Sequence, residues 1–322
     1  MKRIIAFVLA ALMLVALTAC GTDEAAKATK MTMGTGGTQG TYYGYGGILG
    51  NHIKGETGIT VNVVSTDGSK ANILGIDVGN YQLGTVQSDV MAYAYAGTRS
   101  FETEGALDSF RVIGGLYAEA VQLVTMDPEI KTVADLAGKK VSIGAAGSGV
   151  YFNAIDILGA AGLTEADIQP QYQSFGDSAD ALKDGKIDAA FIVAGAPTPA
   201  IQELCTTTDA YLVPIDGEVA EKLMNDSPYY TLYDVPAGTY DGQDADVTTV
   251  TVKATLIVST SASEEDVYNL TKAIYDNADA ITEAHAKGAE LSLENATQGM
   301  TAPFHKGAAK YFAEKGITVE SK

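Results

Sequence analysis

From Lys30 onward, short β-branched runs alternate with helix-length segments, and this alternation limits the possible folds more tightly than anything else in the chain. The first runs are ITVNVVST (59–66) and LGTVQ (83–87). A second series opens with KKVSIGA (139–145), passes through a helix over 148–161 and repeats with IQPQYQSF, ALKDGK, IDAAFIVAG and AYLVPID. Such alternation specifies an α/β fold with mainly parallel sheets, and two series predict two lobes. FRVIGGLYAEAVQLVTM (110–126) lies between them and DVTTVTVKATLIVST (246–260) follows. Both are long and rich in Val or Thr. One leaves the first lobe and one returns, which makes a two-strand hinge. Helices over 263–286 and 303–315 complete the first lobe, so the lobes are expected at 31–117 with 253–322 and at 118–252. Ser263 with Glu265 and Asp266 behind it reads as a helix N-terminus with acids in its first turn. The stretch 225–246 holds Pro228, Tyr229, Tyr230, Tyr233, Pro236 and Tyr240 without a clear period, and is expected as a loop-rich connection whose tyrosines pack.

The first nineteen residues stand apart from that pattern. Lys2 and Arg3 precede an apolar run over 4–17, and Leu17-Thr18-Ala19-Cys20 is followed by Gly21. The run is shorter than the roughly 18–20 residues of a spanning helix, and the whole resembles a bacterial lipoprotein signal with its lipobox. The resemblance implies cleavage before Cys20, lipidation of Cys20 and an extracytoplasmic protein held at the cell envelope. At ~0.8 kcal/mol per buried CH₂, several acyl chains anchor durably. Residues 20–30, the lipidated Cys followed by GTDEAAKATK, form a flexible tether. Cys205 is then the one remaining cysteine, so no intramolecular disulfide is available and the fold must rest on its core. About 290 residues suffice, since a chain of that length buries roughly three quarters of its unfolded surface.

Charge narrows the partners. Without Lys2 and Arg3, 19 basic residues face 40 acidic ones, a net charge of −21. Nucleic acid is excluded as a partner, because its affinity comes mainly from Lys and Arg on phosphates. Beyond residue 20 only Arg99 and Arg111 are arginines, so an anionic ligand is expected on backbone dipoles and hydroxyls.

The stretch 34–47, GTGGTQGTYYGYGG, has the composition of a ligand cradle. Its glycines allow close backbone approach, and it opens a helix whose free N–H groups favour negative charge. It is no Walker A loop, which needs Lys-Ser or Lys-Thr after its last glycine. A G-x-G-x-x-G match from Gly34 fails at Gln39. Catalytic signatures are absent too. His52, His285 and His305 form no H-x-x-x-H pair, no C-x-x-C exists, and Gly147-Ser148-Gly149 lacks the outer glycines of a G-x-S-x-G elbow. Neither an enzyme nor a cofactor is expected.

GTGGTQGTYYGYGG, LGTVQSDVMAYAYAG at Leu83, IKTVADLAGKKVSIGAAGSG at Ile130, LKDGKIDAAFIVAGAP at Leu182 and TVTVKATLIVS at Thr249 occur in this order. Together they resemble the TAXI-type solute-binding receptors of tripartite ATP-independent periplasmic (TRAP) transporters, over essentially the whole chain beyond the tether. The resemblance implies a bilobed type II periplasmic-binding-protein-like fold. It also implies a monomer that closes on a small acidic solute (glutamate, glutamine or a C5 dicarboxylate such as 2-oxoglutarate) and hands it to a TRAP permease. Relatives carry Gly and Pro where this chain has Gln39 and Gly44, and Thr where it has Val150. The last change leaves only a backbone N–H for a carboxylate there. The competing readings are a binding lipoprotein of an ABC importer for taurine-like or pyrimidine-like solutes, and a surface sensor module.

Four helix starts are expected to converge on the cleft, since ligands in open α/β lobes bind beyond the carboxyl ends of the strands. Gly36, Gly37 and Thr38 supply donors, and Thr41 and Tyr42 begin the helix. Gln87 aims into the cleft beside Ser88, an N-cap, and Asp89, which either accepts from a ligand amino group or complements the helix dipole. Ser69 with Lys70 is the weaker pair. From the other lobe, Gly147, Ser148, Gly149 and Val150 present successive N–H groups. Tyr117 and Glu119 lie in the first hinge segment and either line the cleft or serve the sheet. Phe191, Gly195, Ala196 and Pro197 end a strand at a cleft-facing position, with Pro197 otherwise explained as a first-turn proline.

Overall fold

The structure is a computed structural model that describes residues 28–322. The expected signal peptide over 1–19, Cys20 and most of the tether lie outside the described residues. The first half runs β1 (Lys30–Gly34), α1 (Thr41–Thr57), β2 (Thr60–Val64), α2 (Ser69–Asp77), β3 (Leu83–Gln87), α3 (Ser88–Ala96), β4 (Phe110–Thr125), β5 (Lys140–Ser142), α4 (Val150–Ala160), β6 (Gln169–Gln171), α5 (Phe175–Lys183) and β7 (Ala189–Ala194). Then come α6 (Pro199–Thr207), β8 (Tyr211–Val213), α7 (Gly217–Asp226), β9 (Thr231–Val235), β10 (Val247–Ser259), α8 (Glu264–Tyr275), α9 (Ala278–Ala284), α10 (Leu293–Thr297) and α11 (Lys306–Glu314).

This is the bilobed α/β fold. One path of strands runs β2-β1-β3-β10-β4-β7-β5-β6. β1, β2 and β3 are parallel at one end and β5, β6 and β7 at the other. The two long strands β4 and β10 join them antiparallel. Where they cross between the lobes, Glu119 stands opposite Val252 and Ala120 opposite Thr251. β4 is buried along its length except at Ala118, as a near-continuous apolar run must be when both faces are covered.

The apolar residues separate into cores that meet at this crossing. The first gathers Tyr45, Leu49, Phe101, Phe110, Tyr311 and Phe312, from segments before 118 and after 253. Two others lie on the opposite faces of the second lobe's sheet: Val141, Ile157 and Phe191 on one, Ile192, Ile201 and Leu204 on the other. Gly114 lets α8 approach β4, because a Cβ there would fall on the Tyr275 hydroxyl. That hydroxyl donates to the Gly115 carbonyl at 2.8 Å.

Three local expectations change. The stretch 225–246 is not only loop: Thr231–Val235 pairs with β10 as an outer strand. It is mostly exposed, so it carries none of the apolar alternation that marks a strand. The expected helix over 263–286 breaks between α8 and α9. Asp276 there collects Lys272, Lys315 and the Tyr311 hydroxyl, and the Asn277 side chain donates to the Ala273 carbonyl. IQPQYQSF is a three-residue strand followed by a helix start, because the Ser174 hydroxyl accepts from the Asp177 N–H and caps α5.

Candidate functional site

Helices α1, α2 and α4 begin at Gly40, Gly68 and Gly149, and none of these N-caps has a side chain to bond the first turn. Ser174, Ser263 and Ser292 cap α5, α8 and α10, while α3, α6, α7 and α9 also start without a side-chain cap. The ends at Gly40, Gly68 and Gly149 line one cavity of about 70 Å³ between the lobes, as does Gln87 at the uncapped start of α3. The positive ends of three helix dipoles thus face the same small space. Gly68 sits at φ 109, a conformation open to glycine, and a Cβ on it would touch Ser148 of the other lobe. Gly149 is needed for a different reason. A Cβ there would fall on the Gln87 side-chain oxygen, which packs directly over it.

The structure brings Gly36, Gly37, Thr41, Tyr42, Gln87 and Glu119 to this cavity, with Ser148, Gly149 and Val150 facing them. The Thr41 hydroxyl is spent on closing the lobes, donating to the Gly195 carbonyl at 2.8 Å. The Tyr42 hydroxyl donates to Glu119 Oε2 at 2.5 Å. Gln87 donates to Asn153 Oδ1 at 3.0 Å, while its own Oε1 is buried without a partner. Ser69 also lines the cavity and accepts from the Gln87 N–H at 3.1 Å. Val150 packs into a second-lobe core, so a solute at that position meets methyl groups.

Other expected residues stand back from the cavity. Thr38 is exposed. Ser88 is not the N-cap of α3, a position Gln87 holds; its hydroxyl accepts from the Lys253 N–H at 3.2 Å and ties the helix to β10. Asp89 is fully buried and accepts from Asn153 Nδ2 at 3.0 Å, with Oδ1 unpartnered; burial pushes its carboxyl up to about 6. Tyr117 serves packing, edge-on to Tyr45 at 5.0 Å, and Phe191 lies in a second-lobe core. The Gly147 carbonyl accepts from the Ala71 N–H at 3.2 Å, a contact between lobes. Gly195, Ala196 and Pro197 lie behind the wall, and the first-turn proline is Pro199, not Pro197. Lys70 turns away to the Ser100 carbonyl and Glu104.

Sequence reasoning missed Asp67, Gln173, Phe175, Val193 and Ala194 in the lining. It also missed Asn153, which joins the lobes behind the cavity through Gln87 and Asp89 and is held in its own lobe by the Tyr230 hydroxyl. A signal existed for Phe175, in the Ser174-x-x-Asp177 start of α5; none existed for Asn153. Further out, Arg99 pairs with Asp156 at 2.6 Å and lies over the rings of Tyr93 and Phe152, closing the lobes on that side.

The lining contains the carboxylates Asp67 and Glu119 and, among the described residues, no Lys or Arg. Burial above all pushes the Glu119 carboxyl well above the usual range, against the opposing Tyr42 hydrogen bond. His285 and His305 serve as helix caps, accepting from Lys287 and Gly307 N–H groups. The arrangement can grip a small polar solute from two sides.

Residues 33–316 match the pattern of the NMT1-like family. Among solved structures, the alkanesulfonate-binding protein SsuA from Xanthomonas axonopodis pv. citri, bound to MOPS, is similar at 17% identity over 90% of this chain and 92% of its own, with a TM-score of 0.51. A putative L-cystine ABC transporter from Listeria monocytogenes is similar at 18% identity over 82% and 98%, with a TM-score of 0.52. An arginine-specific periplasmic binding protein from Salmonella typhimurium is similar at 13% identity over 82% and 99%, with a TM-score of 0.50. These likenesses show the fold. With the family match they overturn the resemblance to TAXI receptors, and with it the TRAP permease as partner. The motifs behind that resemblance are strand-to-helix turns and hinge strands. The two-lobed fold demands them whichever transporter it serves.

Proposed function

Because the chain belongs to the NMT1-like family, we propose that it is the solute-binding subunit of an ABC-type importer and captures a compact solute through an anionic group. The observation that carries the reading is the convergence of three uncapped helix N-termini, from both lobes, on one cavity between them. The lobes are taken as 31–117 with 253–322 and as 118–252, closing by a hinge at the β4–β10 crossing. An anionic group is kept from the sequence reading, but a second carboxylate is not, because Asp67 and Glu119 would face it. Size argues the same way. The cavity of about 70 Å³ is less than half of the ~150 Å³ that admits one benzene, too small for a five-carbon dicarboxylate unless the lobes part further. The protein binds and releases its solute unchanged, and it acts outside the cytoplasm, lipid-anchored through Cys20.

A thermal-shift panel of small carboxylates, sulfonates and amino acids tests the binding claim. One member is expected to give a saturable single-site gain, approaching ~2.7 kcal/mol at a hundred times Kd. If no member shifts the transition, the binding reading fails. The anchor is tested separately: Cys20→Ser should move the protein from the membrane fraction to the soluble one, and continued membrane association would refute lipidation there.

A further inference from the structure

Three helix ends explain an anion, but they do not explain why a buried carboxylate shares their cavity. Glu119 sits on β4 at the hinge crossing, is 2% exposed and lines the cavity. Tyr42 engages one of its oxygens; the other has no hydrogen-bond partner among the described residues. Asp67 stands at the rim, where the cavity opens to the mouth of the cleft. Beyond it the mouth carries Asp177, Asp180 and Asp184, and the cation there among the described residues, Lys186, is held by Asp184 at 2.8 Å. Carboxylates therefore lead from solvent to the floor of the site.

Resting on the binding reading above, we infer that the solute carries a cationic nitrogen seated on Glu119, so that the site selects small zwitterions over anions of the same shape. The anionic group lies at the helix ends and the ammonium at the free oxygen of Glu119. An anion without nitrogen leaves the free oxygen of Glu119 without a partner. The groups facing Glu119 are Tyr42 from α1, Tyr117 on its own strand, Asp89 from α3 and Lys287 after α9. Burial, partly opposed by Tyr42 and reinforced by Asp89, raises the Glu119 carboxyl, and a neighbouring ammonium acts in the opposite sense. An ammonium seated on the free oxygen of Glu119 makes a charge-assisted hydrogen bond to it. The acidic mouth concentrates cationic groups on the way in.

The test is calorimetry on the full chain in detergent with matched pairs: β-alanine against propionate, taurine against ethanesulfonate, and glycine against acetate. The amino member of at least one pair should bind about thirtyfold or more tighter than its partner. Glu119→Gln should cut that gap to about threefold or less while shifting the Kd of the nitrogen-free partner little. Asp67→Asn, at the exposed rim, guards against a folding defect in the first variant and should narrow the gap by about threefold, more at low salt than at high. Equal affinity within every pair, or a gap that survives Glu119→Gln, overturns the inference and leaves the binding reading standing. Binding by no member of any pair, together with a silent thermal-shift panel, refutes both.

Discussion

Asn153 is the residue whose replacement most directly separates lobe closure from folding. It is fully buried on α4, and its side chain holds Gln87 at 3.0 Å and Asp89 at 3.0 Å from the facing lobe, with Tyr230 at 2.7 Å from its own. In Asn153→Leu the two cross-lobe bonds vanish, leaving Gln87 Nε2 and a carboxylate without partners whenever the lobes close. A neutral bond is worth ~0.5–1.5 kcal/mol and one to a charged group ~1.5–3. Closure should therefore lose about 3 kcal/mol, a weakening of Kd by about 150-fold at 1.4 kcal/mol per tenfold. The open form loses only the bond to Tyr230, about 1 kcal/mol and a few degrees of Tm. Calorimetry with a solute found by the panel, at pH 7.5, reads the first quantity, and thermal unfolding without solute reads the second. At pH 5 the Asp89 carboxyl, pushed up to about 6, is mostly neutral, so the loss should shrink toward 2 kcal/mol. A Kd within threefold of the parent, or a large fall in Tm with Kd unchanged, would refute the closure argument.

Gly149→Ala should weaken binding at least tenfold with little change in the solute-free Tm, because the new Cβ collides with Gln87 only when the lobes meet; unchanged affinity in calorimetry would sink this reading. Asp89 gives a pH-dependent stability of definite sign. Burial raises its carboxyl from 3.8 to about 6, so the native state holds the proton more tightly, and stability is full below about pH 4 and falls as pH rises to about 6. The loss is about 3 kcal/mol at 1.36 per tenfold in proton affinity. Asp89→Asn should remove that slope and raise the urea midpoint at pH 7.5 but not at pH 4; parallel profiles would show the assignment wrong. Burial lifts the Cys205 thiol to about 11, so in Cys20→Ser protein it should resist a disulfide reagent for hours at pH 8 and react within seconds in guanidinium. Rapid reaction of the native protein would contradict its burial.

The fold was legible because alternation and length are properties of segments. KKVSIGA and IDAAFIVAG read as strands, and 110–126 and 246–260 were too long and too rich in Val or Thr for either lobe alone. The strand Thr231–Val235 was hidden because an exposed edge imposes no apolar pattern on its residues. The break after Tyr275 was hidden because Asp276 is held by Lys315 and Tyr311, which lie far along the chain. The family was misread for a related cause: turns that open a helix onto a ligand look alike in every two-lobed receptor.

The site divides along the same line. Gly36, Gly37 and Gly149 stand out locally by composition and all three line the cavity, although only at Gly149 would a Cβ collide, with Gln87. Side-chain roles do not show themselves in that way. Glu119 lies in a strand where an outward charge and a buried one look the same in sequence, and only the position of Tyr42, 77 residues away, reveals which it is. That single contact also changes the chemistry expected of the solute. Neutral cradles on a chain of net charge −19 suggest an acid gripped by dipoles, whereas the same cradles around a buried carboxylate, behind a mouth of aspartates, require a positive charge on whatever they grip. The sign of the solute's second group thus depends on one long-range hydrogen bond, so Glu119→Gln should alter which solutes bind more than how well the protein folds.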